Sequence, residues 1–297
     1  MSPVTALFAP KSVNEFSALL VECGERKKHF VAGGTDWLIK TRGNISDEAA
    51  VFDMSKMPEL RGIEIIDSSL RLGAMETMTS IHSNMAVMLN ATALSDAASS
   101  MGSVQIRNRA TVGGNLANAS PAADTPCALA ALGASVIVFS ISGRKVLSIE
   151  EVLGSCPNTN TLLPNEIIME FCVPVRKGYV SAFKKIGSRS EVSIARVNMA
   201  VSAKYEGETF SDARVFVGTL GSAAKRCLGA ENTLALDPSL REQSFKEALC
   251  EFAEQMIPGR STLPYKKSVL KALAEDLLGM LEERVRVSEK SGEESHG

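Results

Sequence analysis

The chain has 297 residues, enough for two domains of ordinary size, and 45% of its residues are hydrophobic while 22% are charged, as in water-soluble globular proteins. The formal net charge of -2 gives no reason to expect nucleic acid or an anionic membrane as a partner. No run of about 18 apolar residues predicts a transmembrane helix, and no basic-then-apolar start predicts a signal peptide, so we expect a cytoplasmic protein.

The first half of the sequence predicts a mixed α+β domain over residues 1–175. Ser12 and Glu15 have the spacing of a capping box, which starts a short helix that ends at Gly24. Strands and helices then alternate irregularly as far as Pro174. The further predicted elements are strands around 30–32 and 51–53, a hairpin joining 63–66 to 70–72, helical stretches at 79–101 and 125–132, and strands at 135–139, 145–149 and 167–173.

A second, smaller α+β domain is predicted over residues 176–287. It opens with strands at 181–186, 196–205 and 213–217, and its pattern becomes helical from about residue 241. A stripe of leucines at helical spacing, from Leu270 to Leu281, predicts a long final helix. The polar residues 288–297 predict a disordered tail.

The cysteines and histidines do not have the spacing of a metal site. No two of the six cysteines lie closer than sixteen positions apart, and the three histidines are scattered. Iron–sulfur and zinc sites need ligands bunched on short loops that wrap one ion or cluster. We therefore expect reduced, mostly buried thiols and no metal on this chain.

Two diglycine segments are the strongest functional signal in the sequence. They are Ala32–Asp36, which follows an apolar strand, and Thr111–Asn115. Glycine lets backbone N–H groups approach an oxyanion closely, and a neighbouring threonine can add a hydroxyl donor. Each segment alone is weak evidence, and the first is also compatible with a plain turn or a helix entry capped by Thr35 or Asp36. The pair predicts a cradle for a dinucleotide's pyrophosphate, although the nicotinamide-type Gly-x-Gly-x-x-Gly pattern is absent.

Five segments in this order resemble the FAD-binding subunit of molybdenum hydroxylases, a family that includes the flavin domain of xanthine dehydrogenase and the medium subunit of carbon monoxide dehydrogenase. The segments are Phe30–Trp37, Gln105–Asp124, Ser181–Lys184, Pro258–Ser261 and Tyr265–Lys267. The resemblance implies a two-domain α+β fold. Its larger domain would be an FAD-binding domain of the PCMH/vanillyl-alcohol-oxidase type, and its smaller C-terminal domain an antiparallel sheet with helices.

The resemblance also implies which residues lie at a non-covalently bound FAD. In chain order they are Phe30, Val31, Ala32, Gly33, Gly34, Thr35, Asp36, Trp37, Met101, Thr111, Gly113, Gly114, Asn115, Asp124, Ile168 and Lys184. The backbone of the first diglycine segment would hold the pyrophosphate, with the second segment as the other phosphate-binding loop. Met101 stands where relatives can place an aromatic residue near the adenine.

Three of these positions have a second interpretation that the sequence leaves open. Asp124 would contact the sugar-like portion of FAD, or it caps the helix at 125–132, or both. Ile168 would touch the cofactor, or it is an ordinary core residue of a strand. Lys184 would lie near the flavin ring and stabilise an anionic reduced flavin, or it is a surface lysine.

By resemblance, the reaction extends over several subunits. A molybdopterin-binding large subunit would hydroxylate the substrate, and a [2Fe-2S] small subunit would pass the electrons to this FAD and on to NAD+ or another acceptor. The flavin carries the chemistry, so no catalytic side chain is expected here. A dimer of heterotrimers is the expected assembly, and purines, nicotinate-like compounds and other aromatic heterocycles remain open as substrates.

Two alternatives remain at this stage. The first is a stand-alone FAD-dependent oxidase or reductase of the same fold, although one Trp and three Tyr are few for the aromatic lining of a substrate pocket. The second is a nucleotide-binding or scaffold protein that has lost its flavin, against which the intact diglycine segments argue.

Overall fold

The computed structural model describes residues 6–42, 49–188 and 193–294 of the chain. Within these ranges three separate sheets carry most of the strands. No helix of the described ranges is long and apolar enough to cross a membrane.

The N-terminal segment forms a small parallel sheet with one packed helix. Its order is β1-β3-β2. Phe16 and Leu20 on one face of the helix are buried against Phe52 of the central strand. The elements are β1 (Ala6–Phe8), α1 (Val13–Cys23), β2 (Lys28–Val31), α2 (Trp37–Thr41) and β3 (Ala50–Asp53), followed by two 3₁₀ turns at Met54–Lys56 and Pro58–Leu60.

The capping box predicted at the start of α1 is only half formed. Ser12 accepts a hydrogen bond from the Glu15 N–H at 3.2 Å, as expected. The Glu15 carboxylate, however, accepts from the Lys11 N–H at 2.7 Å instead of from that of Ser12. The helix still begins and ends where the sequence predicts, at Val13 and before Gly24.

A five-stranded antiparallel sheet and a layer of short helices build the rest of the first domain. The strand order is β4-β5-β8-β6-β7, and the helices bury alanine-rich faces against it. The elements are β4 (Ile63–Ile66), β5 (Ser69–Gly73), α3 (Met78–Ser83), α4 (Met85–Asn90), α5 (Thr92–Ser100), α6 (Val104–Arg107), α7 (Val112–Asn118), α8 (Asp124–Ala131), β6 (Ser135–Ser140), β7 (Gly143–Ser148), α9 (Ile149–Val152) and β8 (Ile167–Pro174).

The C-terminal region is a four-stranded antiparallel sheet covered on one face by three helices. Its strand order is β12-β11-β10-β9. The leucine stripe from Leu270 to Leu281 is buried in this core, as predicted. The elements are β9 (Tyr179–Gly187), β10 (Ala195–Glu206), β11 (Thr209–Gly218), β12 (Lys225–Arg226), α10 (Leu228–Thr233), α11 (Pro238–Met256) and α12 (Leu263–Glu294).

The helical stretches predicted at 79–101 are the three helices α3, α4 and α5. Asn84 starts the second of them by accepting hydrogen bonds from the Ala86 and Val87 N–H groups. One predicted segment differs from the structure. The tail predicted to be disordered from residue 288 continues α12 as far as Glu294. The final three residues of that predicted tail lie outside the described ranges.

Candidate cofactor site

A cavity of about 610 Å³ lies where the two regions of the chain meet. Such a volume is in the usual range for small-molecule and cofactor sites, which is roughly 300–1,000 Å³. The first region contributes the loop between β2 and α2 with residues on either side of it, part of the segment 101–118, and Ser120 with residues 122–124. The second region contributes Lys185 from β9 and residues 193–195 at the start of β10.

The two diglycine segments converge at this cavity, and Gly33 is the point of closest approach. A Cβ at Gly33 would lie 1.9 Å from the backbone oxygen of Arg109, two residues before Thr111. Only glycine therefore allows the first loop to pack against the second segment. From the other side, a Cβ at Gly114 would contact the Ala32 side chain at 3.5 Å.

The first diglycine loop has free backbone donors. The N–H groups of Gly33, Gly34 and Thr35 donate no hydrogen bond to any other residue that the structure describes. Gly34 has a φ of +77°, the left-handed conformation that favours glycine and that turns successive N–H groups to one side. The three residues that carry these donors line the cavity, so this loop has the character of an anion cradle.

The second diglycine segment is the first turn of α7 and not a loop. The Gly113 N–H donates to Ala74 O at 2.9 Å, and the Gly114 N–H donates to the Thr111 hydroxyl at 3.1 Å. Thr111 is the N-cap of the helix. These two donors are therefore engaged within the protein, and the segment serves as a wall of the cavity beside the free donors of the first loop.

Asn115 connects α7, the wall of the cavity, to the next helix, α8. Its side-chain oxygen accepts a hydrogen bond from the Thr125 hydroxyl at 2.7 Å. Lys40 of α2 reaches across to the side-chain oxygen of Asn118, and both residues line the cavity. This bridge could not be predicted from the sequence, since the two residues are 78 positions apart along the chain.

Asp124 lies beneath the cavity and is paired with a lysine. It is 4% exposed, its carboxylate bonds to the ammonium of Lys185, and it accepts from the Asn198 side-chain N–H at 2.9 Å. Burial raises the pKa of Asp124, while the charge and hydrogen bond of Lys185 and the hydrogen bond of Asn198 oppose this shift. The alternative role as a helix cap is wrong, because the N-cap is Ala123 and the carboxylate makes no capping bond.

Lys184 does not line the cavity. Its ammonium lies 3.2 Å from a carboxylate oxygen of Asp276 on α12, and both side chains are nearly half exposed. The strand register explains the difference, because Lys185 is paired with Asn198 and Lys184 with Met199, so the two lysines point to opposite faces. Lys185 is thus the lysine of this pair that lines the cavity, and it was not predicted from the sequence.

An aromatic pair lies on the α2 side of the cavity. The Trp37 indole N–H donates to Nδ1 of His29 at 3.3 Å, and the rings meet edge to face with centroids 5.9 Å apart. Burial, with a smaller contribution from Lys27, lowers the pKa of His29, so that the neutral ring can accept this bond. Phe30, Thr35, Asp36 and Met101 also line the cavity.

A second cavity of about 320 Å³ shares a wall with the first. Phe30, Ala32, Gly114 and Ala117 line both, so the two spaces adjoin along β2 and α7. Ile168 of β8 lines the second cavity, as does Gly113. An extended ligand such as a dinucleotide can occupy adjoining spaces of this kind.

Of the predicted site residues, Val31 and Lys184 line neither cavity. The Val31 side chain packs beside Gly34 instead, where a Cβ would contact it at 3.8 Å. No group of three or more His, Cys, Asp or Glu residues within the described ranges could hold a metal ion.

Two family models match the chain, one in each region. Residues 3–176 match "FAD binding domain in molybdopterin dehydrogenase", and residues 181–281 match "CO dehydrogenase flavoprotein C-terminal domain".

Characterised relatives and solved structures agree with these matches over most of the chain. The nicotinate dehydrogenase FAD-subunit of Eubacterium barkeri is 30% identical over 93% of this chain and 96% of its own length. The xanthine dehydrogenase FAD-binding subunit of Escherichia coli O157:H7 is 32% identical over 78% of this chain and 80% of its own. A chain of the carbon monoxide dehydrogenase of Hydrogenophaga pseudoflava superposes with a TM-score of 0.83 at 26% identity, covering 96% and 99% of the two chains.

Proposed function

Because the chain belongs to the family of FAD-binding domains of molybdopterin dehydrogenases, we propose that it is the FAD-carrying subunit of a xanthine dehydrogenase-like molybdenum hydroxylase. In this proposal residues 1–175 are the FAD-binding domain and residues 176–287 the smaller C-terminal domain. A molybdopterin-binding large subunit and a [2Fe-2S] small subunit complete a heterotrimer in the cytoplasm. Electrons from the [2Fe-2S] clusters pass through the FAD to NAD+ or another acceptor.

The observation that carries the proposal is the fit between FAD and the cavity. FAD contains an anionic pyrophosphate, and the cavity presents the free N–H groups of Gly33, Gly34 and Thr35 at a point that a larger residue than Gly33 would block. The adjoining second cavity extends the space along β2 and α7. The chain thus supplies an anion cradle within an elongated space, as a dinucleotide requires.

The residues of this chain bind and orient the cofactor. The first diglycine loop would hold the pyrophosphate, and the Lys185–Asp124–Asn198 network would fix the cavity floor contributed by the second region. Bound FAD supplies the redox chemistry, accepting electrons from one partner and passing them to the next.

The proposal is tested by purifying the tagged chain from its native cells and, separately, alone from a heterologous host. The native preparation should contain molybdenum, [2Fe-2S] clusters and FAD, and should reduce NAD+ with a heterocyclic substrate. The chain alone should contain FAD and oxidise NADH with an artificial dye, yet turn over no heterocycle. Oxidation of a heterocycle by the isolated chain would instead identify a stand-alone oxidase.

A further inference from the structure

Thr219 is held in a strained conformation at the edge of the cavity. It follows the last residue of β11 and has a φ of +67°. A β-branched residue rarely adopts this left-handed conformation, because its side chain crowds the backbone. Such strain persists only where surrounding contacts hold the residue in place.

The contacts of Thr219 reach two segments that flank the cavity. Its N–H donates to Pro121 O at 3.1 Å, and its hydroxyl donates to Arg196 O at 2.6 Å. Pro121 lies between Ser120 and Ala122, which line the cavity from the first region. Arg196 follows directly on the lining residues 193–195 of the second region. One residue therefore links both walls.

Lys266 of α12 holds Thr219 in this position. Its ammonium donates to Thr219 O and lies 3.5 Å from the Thr219 hydroxyl. None of the ion pairs among the described residues involves Lys266, and its ammonium donates to the backbone carbonyl of Thr219. Burial lowers the pKa of Lys266, and repulsion from Arg260 and Arg196 adds to the shift. Burying a charge costs free energy unless the group is hydrogen-bonded, so a partly buried ammonium that is bonded to a backbone carbonyl indicates a positioning role.

The residue before Thr219 connects the same strand end to Asp124. A Cβ at Gly218 would lie 1.9 Å from the side-chain oxygen of Asn198, so only glycine fits there. Asn198 in turn donates to the Asp124 carboxylate. The end of β11 thus contacts the floor of the cavity as well as both of its walls.

We propose that Lys266 is a positioning residue for the cofactor, which acts by holding Thr219 in its strained conformation so that Thr219 fixes the spacing between the Pro121 and Arg196 walls. The inference rests on the proposed function, in that this cavity is taken as the FAD site. It assigns a role in flavin binding to the Tyr265–Lys267 motif of the C-terminal domain.

The test compares Lys266→Met with Lys267→Met in the full-length chain. Lys267 is the adjacent residue of α12, but its ammonium pairs with Glu254 of α11. The dissociation constant of FAD and the visible circular dichroism of bound flavin are measured, with far-ultraviolet circular dichroism to establish folding. Loss of one charge-assisted hydrogen bond should weaken FAD binding about tenfold in Lys266→Met and alter the flavin signal. Lys267→Met should match the native chain in FAD affinity and in the flavin signal.

Two further variants separate positioning from general stability. Lys266→Arg retains a cationic donor and should restore FAD binding to within about threefold of native. Glycine adopts the left-handed conformation without strain, so in Thr219→Gly this residue no longer needs Lys266 to hold it. In the Thr219→Gly background, Lys266→Met should therefore weaken FAD binding much less than tenfold. Equal FAD affinity and flavin signals in Lys266→Met and Lys267→Met would overturn the positioning role while leaving the FAD site intact. A native chain that binds no FAD would overturn both proposals.

Discussion

Lys184 and Lys185 show what a sequence can and cannot determine about a single residue. The motif around Ser181 predicts a lysine near the cofactor, but adjacent strand residues point to opposite faces. Only the pairing of β9 with β10 decides which lysine faces Asp124. Asp124, which the sequence predicts at the cofactor, lines the cavity, whereas its partners Lys185 and Asn198 lie 61 and 74 residues away along the chain.

Removing the ammonium of Lys185 should be far more damaging than removing that of Lys184. Lys185→Met leaves the Asp124 carboxylate buried without its cation, which should cost about 3–5 kcal/mol of unfolding free energy. Lys184→Met breaks an exposed pair with Asp276, which should cost at most about 1 kcal/mol. Urea unfolding measures both variants. Equal losses would mean that the buried pair does not form.

The left-handed glycine of the first loop provides a test of the anion cradle. In Gly34→Val the positive φ is penalised and the peptide bond tends to rotate, which turns the Thr35 N–H away from the cavity. FAD affinity should fall at least about tenfold.

Gly24 is the matched control for this variant. It has a φ of +55°, lies at the end of α1, and has open space where a Cβ would stand. Gly24→Val should lose comparable stability and retain full FAD affinity. If Gly34→Val binds FAD as tightly as Gly24→Val does, the first loop is a turn without a role in binding.

Elements whose residues show a clear periodicity and clear start or end signals were predictable from the sequence. Elements that depend on contacts with distant residues were not. The hairpin of β4 and β5 forms as predicted except that β5 begins one residue earlier, at Ser69, with Asp67 and Ser68 at positive φ as a tight two-residue turn requires. The turn of helix at Gly113 and Gly114 was not predicted, because two glycines disfavour a helix. The Thr111 cap and the contact of Gly113 with Ala74 stabilise it.

The N-cap of α7 can be tested through the Thr111 hydroxyl. Thr111→Val keeps the shape of the side chain but leaves the Gly114 N–H without its acceptor. The unfolding free energy should fall by about 1 kcal/mol, a typical value for a lost cap. Thr111→Ser retains the hydroxyl, so its unfolding free energy should fall less. Denaturant titration of the native chain and the two variants measures these unfolding free energies. Equal values for Thr111→Val and the native chain would show that the Thr111 hydroxyl does not cap α7.

In the whole molecule the two regions share a core as well as a cavity, and the shared core was not predicted from the sequence. The helix α8 of the first region packs against β10 and β11 of the second. Asp96 of α5 also binds Arg284 of α12 through both carboxylate oxygens, each at 2.8 Å. A sequence pattern locates a boundary along the chain, but it carries little information on how two regions pack.

The Asp96–Arg284 contact should stabilise the packing of the two regions. Arg284→Met removes a two-point ion pair and a bond to Ser181 O, which should lower the unfolding free energy by roughly 1–3 kcal/mol. Arg286 on the same helix is the control, since it is largely exposed and only loosely paired with Glu282 at 3.9 Å. Arg286→Met should change stability by less than about 0.5 kcal/mol. Equal effects of the two substitutions would show that the contact does not join the regions.

Hydrogen–deuterium exchange of the chain with and without FAD shows whether FAD is held in the cavity between the two regions. FAD should slow exchange most in peptides covering residues 30–40, 101–124, 185–188 and 193–195, which contain the residues that line the cavity. The helices α10 and α11 lie outside it and should exchange at the same rate in both samples. Bound FAD that protects α10 and α11 but leaves Gly33–Thr35 unprotected would contradict the account.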